Sequence, residues 1–216
     1  MPRPRAQDYD DKRRAILRRA GALFARRGYT GASISMIARG CGMSKALLYH
    51  YYNDKESLLF DIISSHLDEL IEGVERAAQA AKLPRERFHA VAAALLEAYR
   101  EADDEHQVQL SALKLLPAER QEVLRAMERR LVAVFSSALG EALPAIGRDH
   151  GLLMPVTMSV FGMLNWHYLW FREGGRVSRA DYARLVTEMV LAGAEAAAKA
   201  IEAPGAAHEV DLARSR

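Results

Sequence analysis

The stretch from Ser33 to Lys55, SISMIARGCGMSKALLYHYYNDK, contains the local signals for two short helices joined by a sharp turn. Ser33 and Ser44 each precede a run of helix-forming residues, and serine is a preferred cap at a helix N-terminus. Gly42 lies between the two runs, where glycine permits an abrupt change of direction. The stretch therefore predicts a helix-turn-helix.

One side of the second helix is free to meet a ligand. Leu48 and Tyr52 are four residues apart and are expected to face the core. The opposite side carries small, hydrogen-bonding and basic groups, which suit base edges in a DNA major groove. We predict DNA contacts from Ser33, Ser35, Ser44, Lys45, Ala46, Leu47, Tyr49, His50 and Tyr51. Lys55 starts the next helix, where its ammonium group and free backbone N–H groups suit a DNA phosphate.

Charge is divided unevenly along the 216 residues. Residues 1–55 contain 12 Lys and Arg against four Asp and Glu, whereas residues 56–216 contain 18 against 24. A basic segment joined to an acidic one fits a DNA-binding domain with a separate sensor. Cys41 is the sole cysteine, which excludes an internal disulfide. The N-terminal segment is charged and has no apolar signal sequence, so we expect a cytoplasmic protein.

Apolar residues recur at helical spacing along the chain, and no strand-like alternation appears. We predict an all-α fold with an N-terminal three-helix helix-turn-helix domain over residues 1–54. A larger helical ligand-binding and dimerisation domain is predicted over residues 55–216. Its first helix is expected to run from Lys55 to about Ala80. Residues 1 to about 9 are expected to be loose, with Arg3 and Arg5 either in a disordered tail or in an arm that reaches a minor groove.

Residues 151–171, GLLMPVTMSVFGMLNWHYLWF, contain no formally charged side chain. A membrane span is disfavoured by Pro155, Asn165 and His167, so we expect a helix that is buried by its own core and by a partner chain. With a last helix from Arg179 to about Ala203, it would form a four-helix dimer interface whose two-fold symmetry suits a palindromic DNA site. The predicted interface residues are Val160, Leu164, Tyr168, Phe171, Tyr182, Val186, Met189, Val190 and Gly193.

Several of these motifs resemble one family. The run from Met43 to Leu58, MSKALLYHYYNDKESL, is similar to the recognition helix and following turn of the TetR/AcrR family of transcriptional regulators. Upstream, Ala22 and Phe24, then Gly28-Tyr29 and Ile37-Ala38, resemble the first two helices of that family. A tyrosine, Tyr51, stands where a histidine is common in the family. The resemblance implies a homodimeric repressor that a small molecule releases from a palindromic operator, and it implies the phosphate role for Lys55.

A second, narrower resemblance concerns the effector. The segment from Phe161 to Arg172, followed by Gly174-Gly175, is similar to a late helix of TetR-type regulators of fatty-acid, steroid and aryl-acid breakdown, which implies an acyl-CoA or aryl-CoA effector. Aromatic and methionine side chains suit an acyl or aryl group, and arginines suit the CoA phosphates. The residues assigned to the effector are Met163, Asn165, Trp166, His167, Trp170, Arg172 and Arg176. Packing in the core or dimer remains open for Trp166 and Trp170, as does a backbone or cross-dimer partner for Asn165 and His167.

The sequence contains few motifs typical of enzymes. Glu86-x-x-His89 has the spacing of a di-iron ligand pair, but no second Glu-x-x-His exists, and no Gly-x-Ser-x-Gly motif occurs. We therefore expect no enzyme activity, no metal and no cofactor. Two alternatives stay open: a DNA-binding dimer without a small-molecule effector, controlled by a partner or acting architecturally, and a ligand-dependent activator.

Overall fold

A computed structural model describes residues 4–148 and 150–202 of the chain. Within these residues the chain forms ten α-helices and two short 3-10 helices, and no β-strand. The all-α prediction is confirmed. The α-helices are α1 (Pro4–Gly31), α2 (Ile34–Gly40), α3 (Lys45–Tyr51), α4 (Lys55–Ala80), α5 (Pro84–Ala98), α6 (Asp103–Ala112), α7 (Ala118–Ala142), α8 (Pro144–Arg148), α9 (His150–Asn165) and α10 (Arg179–Glu202), and the 3-10 helices are Leu113–Leu115 and His167–Leu169.

The helix-turn-helix forms where the sequence predicts it. The Ser33 hydroxyl accepts from the backbone N–H of Met36 at 3.2 Å, and the Ser44 hydroxyl accepts from that of Leu47 at 3.1 Å. Each serine therefore satisfies one of the free donors at the start of its helix. Between α2 and α3 the backbone of Gly42 has φ of +66°, a left-handed conformation that favours glycine.

Helix α1 differs from the prediction at its N-terminal end. It begins at Pro4, so residues 4–9 are helical where a loose segment was expected. The aromatic ring of Tyr9 stacks on that of Tyr51, with centroids 4.8 Å apart, and this contact holds the first turns against α3. Arg3 lies outside the described residues. Near the other end, Gly28 adopts φ of +72°, and this kink separates the long helix from its last three residues.

Helix α4 connects the helix-turn-helix to the rest of the chain. Its N-terminus is capped by Asp54, whose carboxylate accepts from the Ser57 N–H. The apolar side of α4 is buried along its length, and α5 and α7 pack against it. Helices α9 and α10 pack against α5 and against each other. Residues buried in this core include Leu59, Ile63, Leu67, Leu70, Phe88, Val91, Leu95 and Phe135.

The uncharged run of residues 151–171 is not one continuous helix. Helix α9 ends at Asn165, and a 3-10 helix, His167–Leu169, follows. The Asn165 carbonyl oxygen lies 3.2 Å from Nε2 of His106, and the Met163 carbonyl accepts from the Tyr182 hydroxyl at 2.8 Å. Side chains from other helices thus serve the last carbonyl groups of α9, which helix termini leave without intrahelical partners. Within the described ranges no helix is long and apolar enough to cross a membrane.

Candidate DNA-recognition surface and ligand cavity

Helix α3 presents one face to the core and the rest to solvent. Leu48 is fully buried, whereas Leu47 and Tyr49 are 45% and 42% exposed. Leu48 is the buried residue that anchors α3 in the core, and the outer surface of the helix is left free to contact DNA. The exposed predicted contact residues are Ser33, Ser35, Ser44, Lys45, Ala46, Leu47, Tyr49 and His50.

Tyr51, like Lys55, is a half-buried member of the predicted set. Its ring is stacked on Tyr9, and the His50 ring meets it edge to face at 5.8 Å. These contacts restrict where the phenol points, so the tyrosine holds α3 against α1. Behind it, Tyr52 is buried, and burial raises the pKa of its phenol.

Lys55 lies between the end of α1 and the start of α4. Its Nζ donates to the backbone carbonyl oxygens of Tyr29 at 2.8 Å and Ala32 at 2.9 Å, and it lies 4.3 Å from the centre of the Tyr29 ring. An ammonium group has three donors, so one is left for a DNA phosphate. The hydrogen bonds from Lys55 to Tyr29 and Ala32 have no local sequence signal, because these residues are more than 20 positions away in the chain.

A cavity of about 900 Å³ lies between α4, α5, α6, α7 and α9. Its floor is buried and its mouth is exposed. Most of the floor is apolar. The buried lining residues are Leu70, Tyr99, His106, Gln109, Leu131 and Phe161, and the exposed ones at the mouth are Leu110, Arg125, Arg129, Ala133, Met154 and Met158.

The polar groups of the floor are connected through the end of α9. The Tyr99 hydroxyl donates to Oδ1 of Asn165 at 2.7 Å, while Nε2 of His106 lies 3.2 Å from the Asn165 carbonyl oxygen. A carbonyl oxygen only accepts, so Nε2 of His106 carries the proton. Burial lowers the pKa of His106 to about 4, which keeps the ring neutral at pH 7.

Two family models match the chain. The model of bacterial regulatory proteins of the tetR family matches residues 16–62, which contain the helix-turn-helix. The model of the tetracyclin repressor-like C-terminal domain matches residues 81–194, more than half of the chain. The chain belongs to the TetR family. It is a helix-turn-helix transcriptional regulator of that family.

Individual TetR-family relatives agree with this assignment. A TetR-family regulator from Bordetella parapertussis 12822 is 37% identical, with a TM-score of 0.78, over 83% of this chain and 93% of that one. AibR, solved in complex with isovaleryl coenzyme A and operator DNA, is 30% identical, with a TM-score of 0.70, over 82% of this chain and 97% of AibR. The transcriptional activator FasR of Mycolicibacterium smegmatis is 32% identical over 88 residues, which are 41% of this chain and 40% of FasR. The match therefore covers less than half of FasR.

The residues assigned to the effector from sequence are mostly not in the cavity. Asn165 alone among the seven lines it. Because α9 ends at Asn165, Trp166 and Trp170 do not share a helix face, and they are 55% and 51% exposed. His167 is buried elsewhere, where its Nε2 accepts from Arg179 at 2.6 Å. Three further residues lie outside the cavity wall: Met163 is half-buried, and Arg172 and Arg176 are exposed.

The residues predicted for the dimer interface fall into three groups. Four of the nine are buried within their own chain, where a partner cannot reach them. Met189, at 57% exposure, and Gly193 are on the surface. Val160, Leu164, Val186 and Val190 are buried, and Tyr168, Phe171 and Tyr182 are half-buried.

Sequence reasoning missed the cavity residues of α6 and α7. A signal was present in α6, where His106 and Gln109 are polar residues three apart on the inward side of a helix. Arg125 and Arg129, four apart on α7, gave no signal because arginines at this spacing are common on solvated helix faces. On α5, Glu86 is exposed and His89 is half-buried. Across the described residues no three His, Cys, Asp or Glu side chains are grouped as metal ligands.

Proposed function

We propose that the chain is a homodimeric repressor that binds a palindromic operator, and that an acyl-CoA or aryl-CoA thioester releases it from DNA. In this proposal residues 1–54 read the DNA, while residues 55–216 bind the effector and form the dimer. The observation that carries the proposal is the cavity of about 900 Å³, with an apolar floor and two arginines at its mouth. Cavities of roughly 300–1,000 Å³ with few polar groups are the usual size for small-molecule ligands.

The shape and chemistry of the cavity suit a ligand with two unlike ends. Leu70, Leu131 and Phe161 suit an acyl chain or an aromatic ring. At the mouth, Arg125 donates to Gln121 and Arg129 pairs with Glu122, and all of these are near the solvent. Exposed pairs of this kind contribute about 0–1 kcal/mol, so the guanidinium groups can exchange them for CoA phosphates at little cost.

The DNA end of the mechanism rests on the exposed side of α3. Leu47 offers apolar contact to thymine methyl groups, and Tyr49 offers a hydroxyl to a base or phosphate. Lys55 contributes its third donor to a phosphate. The solvent-exposed positions of Leu47 and Tyr49 support the proposal, and AibR, a relative solved with operator DNA, supports it independently.

Dimerisation is proposed through the exposed sides of α9 and α10. The surface residues there are apolar or small and recur at helical spacing, which permits close approach of two helix pairs. They are Pro155, Ser159 and Gly162 on α9, and Leu185, Met189, Ala192, Gly193 and Ala196 on α10.

A variant at this surface tests the dimer. Met189→Asp places a charge at the proposed interface, so we expect monomers in analytical ultracentrifugation and loss of operator binding. Leu115→Asp is the matched control, since Leu115 is 51% exposed outside this surface. A Met189→Asp protein that stays dimeric would remove α10 from the interface.

Helix α6 links the cavity to α1. His106 and Gln109 of α6 line the cavity, and the same helix packs against α1. The contact is close, since a methyl group at Gly21 would lie 3.3 Å from the Glu105 carboxylate. A ligand that displaces α6 therefore moves α1 and, through the Tyr9–Tyr51 stack, α3. Release then follows from the higher affinity of the ligand for the displaced state.

The proposal is tested with an operator selected from random DNA by the purified protein. Fluorescence anisotropy then measures binding during titration with straight-chain and aromatic CoA thioesters. We expect one class of thioester to abolish binding, with free CoA as the control. Binding that is strengthened by a thioester would favour the activator alternative, which the relative FasR supports by its name. Binding indifferent to every thioester would favour the effector-free dimer and overturn the thioester proposal.

A further inference from the structure

The floor of the cavity contains two hydrogen-bond acceptors that no described residue serves. Nδ1 of His106 and Oε1 of Gln109 are buried atoms without a hydrogen-bond partner. Both side chains line the cavity, and both come from the same side of α6. Other buried polar atoms without partners occur in the chain, but these two belong to the ligand cavity.

The roles of the two atoms follow from their neighbours. Nε2 of His106 carries the proton because it faces the Asn165 carbonyl oxygen, so Nδ1 of the neutral ring has a lone pair and no hydrogen. The pKa of about 4 excludes a second proton near neutral pH.

The amide of Gln109 is oriented in the same way by its partner. Its Nε2 donates to Oε1 of Glu128 at 2.8 Å, and a carboxylate oxygen only accepts. The amide oxygen therefore is the free end. Of the other buried floor residues, Leu70, Leu131 and Phe161 have no polar hydrogen, and the Tyr99 hydroxyl already donates to Asn165.

We infer that the effector carries a hydroxyl or an equivalent neutral hydrogen-bond donor on the part that enters the floor, and that a plain alkyl or aryl end binds less well. The inference rests on the proposed thioester function, because CoA at the arginine mouth directs the far end of the acyl group to the floor. Both atoms have almost no water-accessible surface, so water does not serve them. A ligand hydroxyl that reaches them through the floor supplies the missing donor, whereas a methyl group leaves the buried acceptors without one.

The test compares thioesters that differ in one group at the far end of the chain. Each ω-hydroxyacyl-CoA, over chain lengths of about four to ten carbons, is paired with the acyl-CoA that has a methyl group in place of the hydroxyl. An ω-methoxyacyl-CoA provides an oxygen that accepts but does not donate. Isothermal titration calorimetry with the full-length dimer measures binding without the need for an operator.

We expect the ω-hydroxyacyl member to bind about tenfold more tightly than its methyl partner at the best chain length, given the usual penalty for an unserved buried acceptor. The methoxy compound should show no such gain. Equal or weaker binding of the hydroxyl member would overturn the inference and leave the thioester proposal intact. Binding of none of the thioesters would overturn both.

Variants of the two floor residues test whether their acceptors cause the preference for a hydroxyl. Gln109→Leu removes one free acceptor at similar volume, so it should reduce the preference for the hydroxyl severalfold. His106→Leu should act in the same direction, and Gln109→Leu decides the question if the histidine variant does not fold. Ser136→Ala is the matched control, because Ser136 lines the cavity but already donates to Thr157 at 3.2 Å. A preference that survives both floor variants would overturn the assignment to these acceptors.

Discussion

Replacing Lys55 with methionine tests how the end of α1 is tied to the start of α4. Methionine keeps an unbranched side chain but removes both hydrogen bonds, to Tyr29 and to Ala32. A hydrogen bond to a charged group contributes roughly 1.5–3 kcal/mol when buried. The half-buried position of Lys55 halves this figure, so the two bonds together contribute about 1.5–3 kcal/mol, and the cation–π contact adds about 0.5 kcal/mol. We therefore expect the free energy of unfolding to fall by about 2–3.5 kcal/mol.

Urea unfolding followed by circular dichroism measures this change at fixed protein concentration. Lys45→Met is the matched control, since Lys45 is exposed on α3, and we expect its effect to stay within about 0.5 kcal/mol. If Lys55→Met also changed the free energy of unfolding by less than about 0.5 kcal/mol, the hydrogen bonds of the lysine would not tie α1 to α4.

The same variant decides the DNA role of Lys55. One lost phosphate contact lowers the slope of log affinity against log salt by about 0.9 per subunit, on specific and random DNA alike. If the variant is less stable but the salt slope is unchanged, Lys55 has only the structural role of joining α1 to α4. This result would contradict the phosphate prediction.

Three further predictions concern α3, the turn before it and the buried histidines. Leu47→Ala should weaken binding to the operator more than to random DNA, as measured by anisotropy, because apolar contact with base edges carries sequence information; equal losses would remove Leu47 from the groove. Gly42→Ala should lower stability by about 1–2 kcal/mol in thermal unfolding through its left-handed backbone alone, since a Cβ there would meet no atom within 4 Å. Gly42→Asn should recover part of the loss, and an Ala variant as stable as wild type would contradict the strain. Burial lowers the pKa of His66 to about 3 and of His106 to about 4, so both rings are neutral in the folded protein and gain protons on unfolding. Their contribution is complete above about pH 6.5 and is lost as the pH falls through 4 toward 3, so the urea midpoint should decline in that window and decline less in His66→Phe; a constant midpoint would contradict the buried neutral rings.

Local signals predicted the helix-turn-helix well. The serine caps, Gly42 and the buried Leu48 depend on residues within four positions of each other, where helix geometry leaves little freedom. The extent of α1 was predicted less well, because Tyr9 is fixed by Tyr51, 42 positions away. A contact between residues so far apart in the sequence cannot be predicted from a local pattern.

The dimer residues show a different limit. Periodicity identifies an apolar helix but not which of its apolar sides meets its own core. In α10 both sides are apolar, so Val186 and Met189 are equivalent in sequence, although the first is buried and the second is exposed. Only the positions of α5 and α9 around α10 distinguish the two.

The end of α9 explains why most residues assigned to the effector do not line the cavity. The sequence from Phe161 to Arg172 has aromatic residues at helical spacing, which predicts a lined helix face. The helix stops at Asn165, whose carbonyl oxygen is served by His106 from α6, 59 positions away. The same hydrogen bond holds the proton on Nε2 of His106 and leaves Nδ1 as an acceptor in the cavity floor. The end of α9 therefore removes Trp166 and Trp170 from a shared helix face, and the long-range contact at this end makes Nδ1 of His106 the acceptor on which the proposed ligand preference rests.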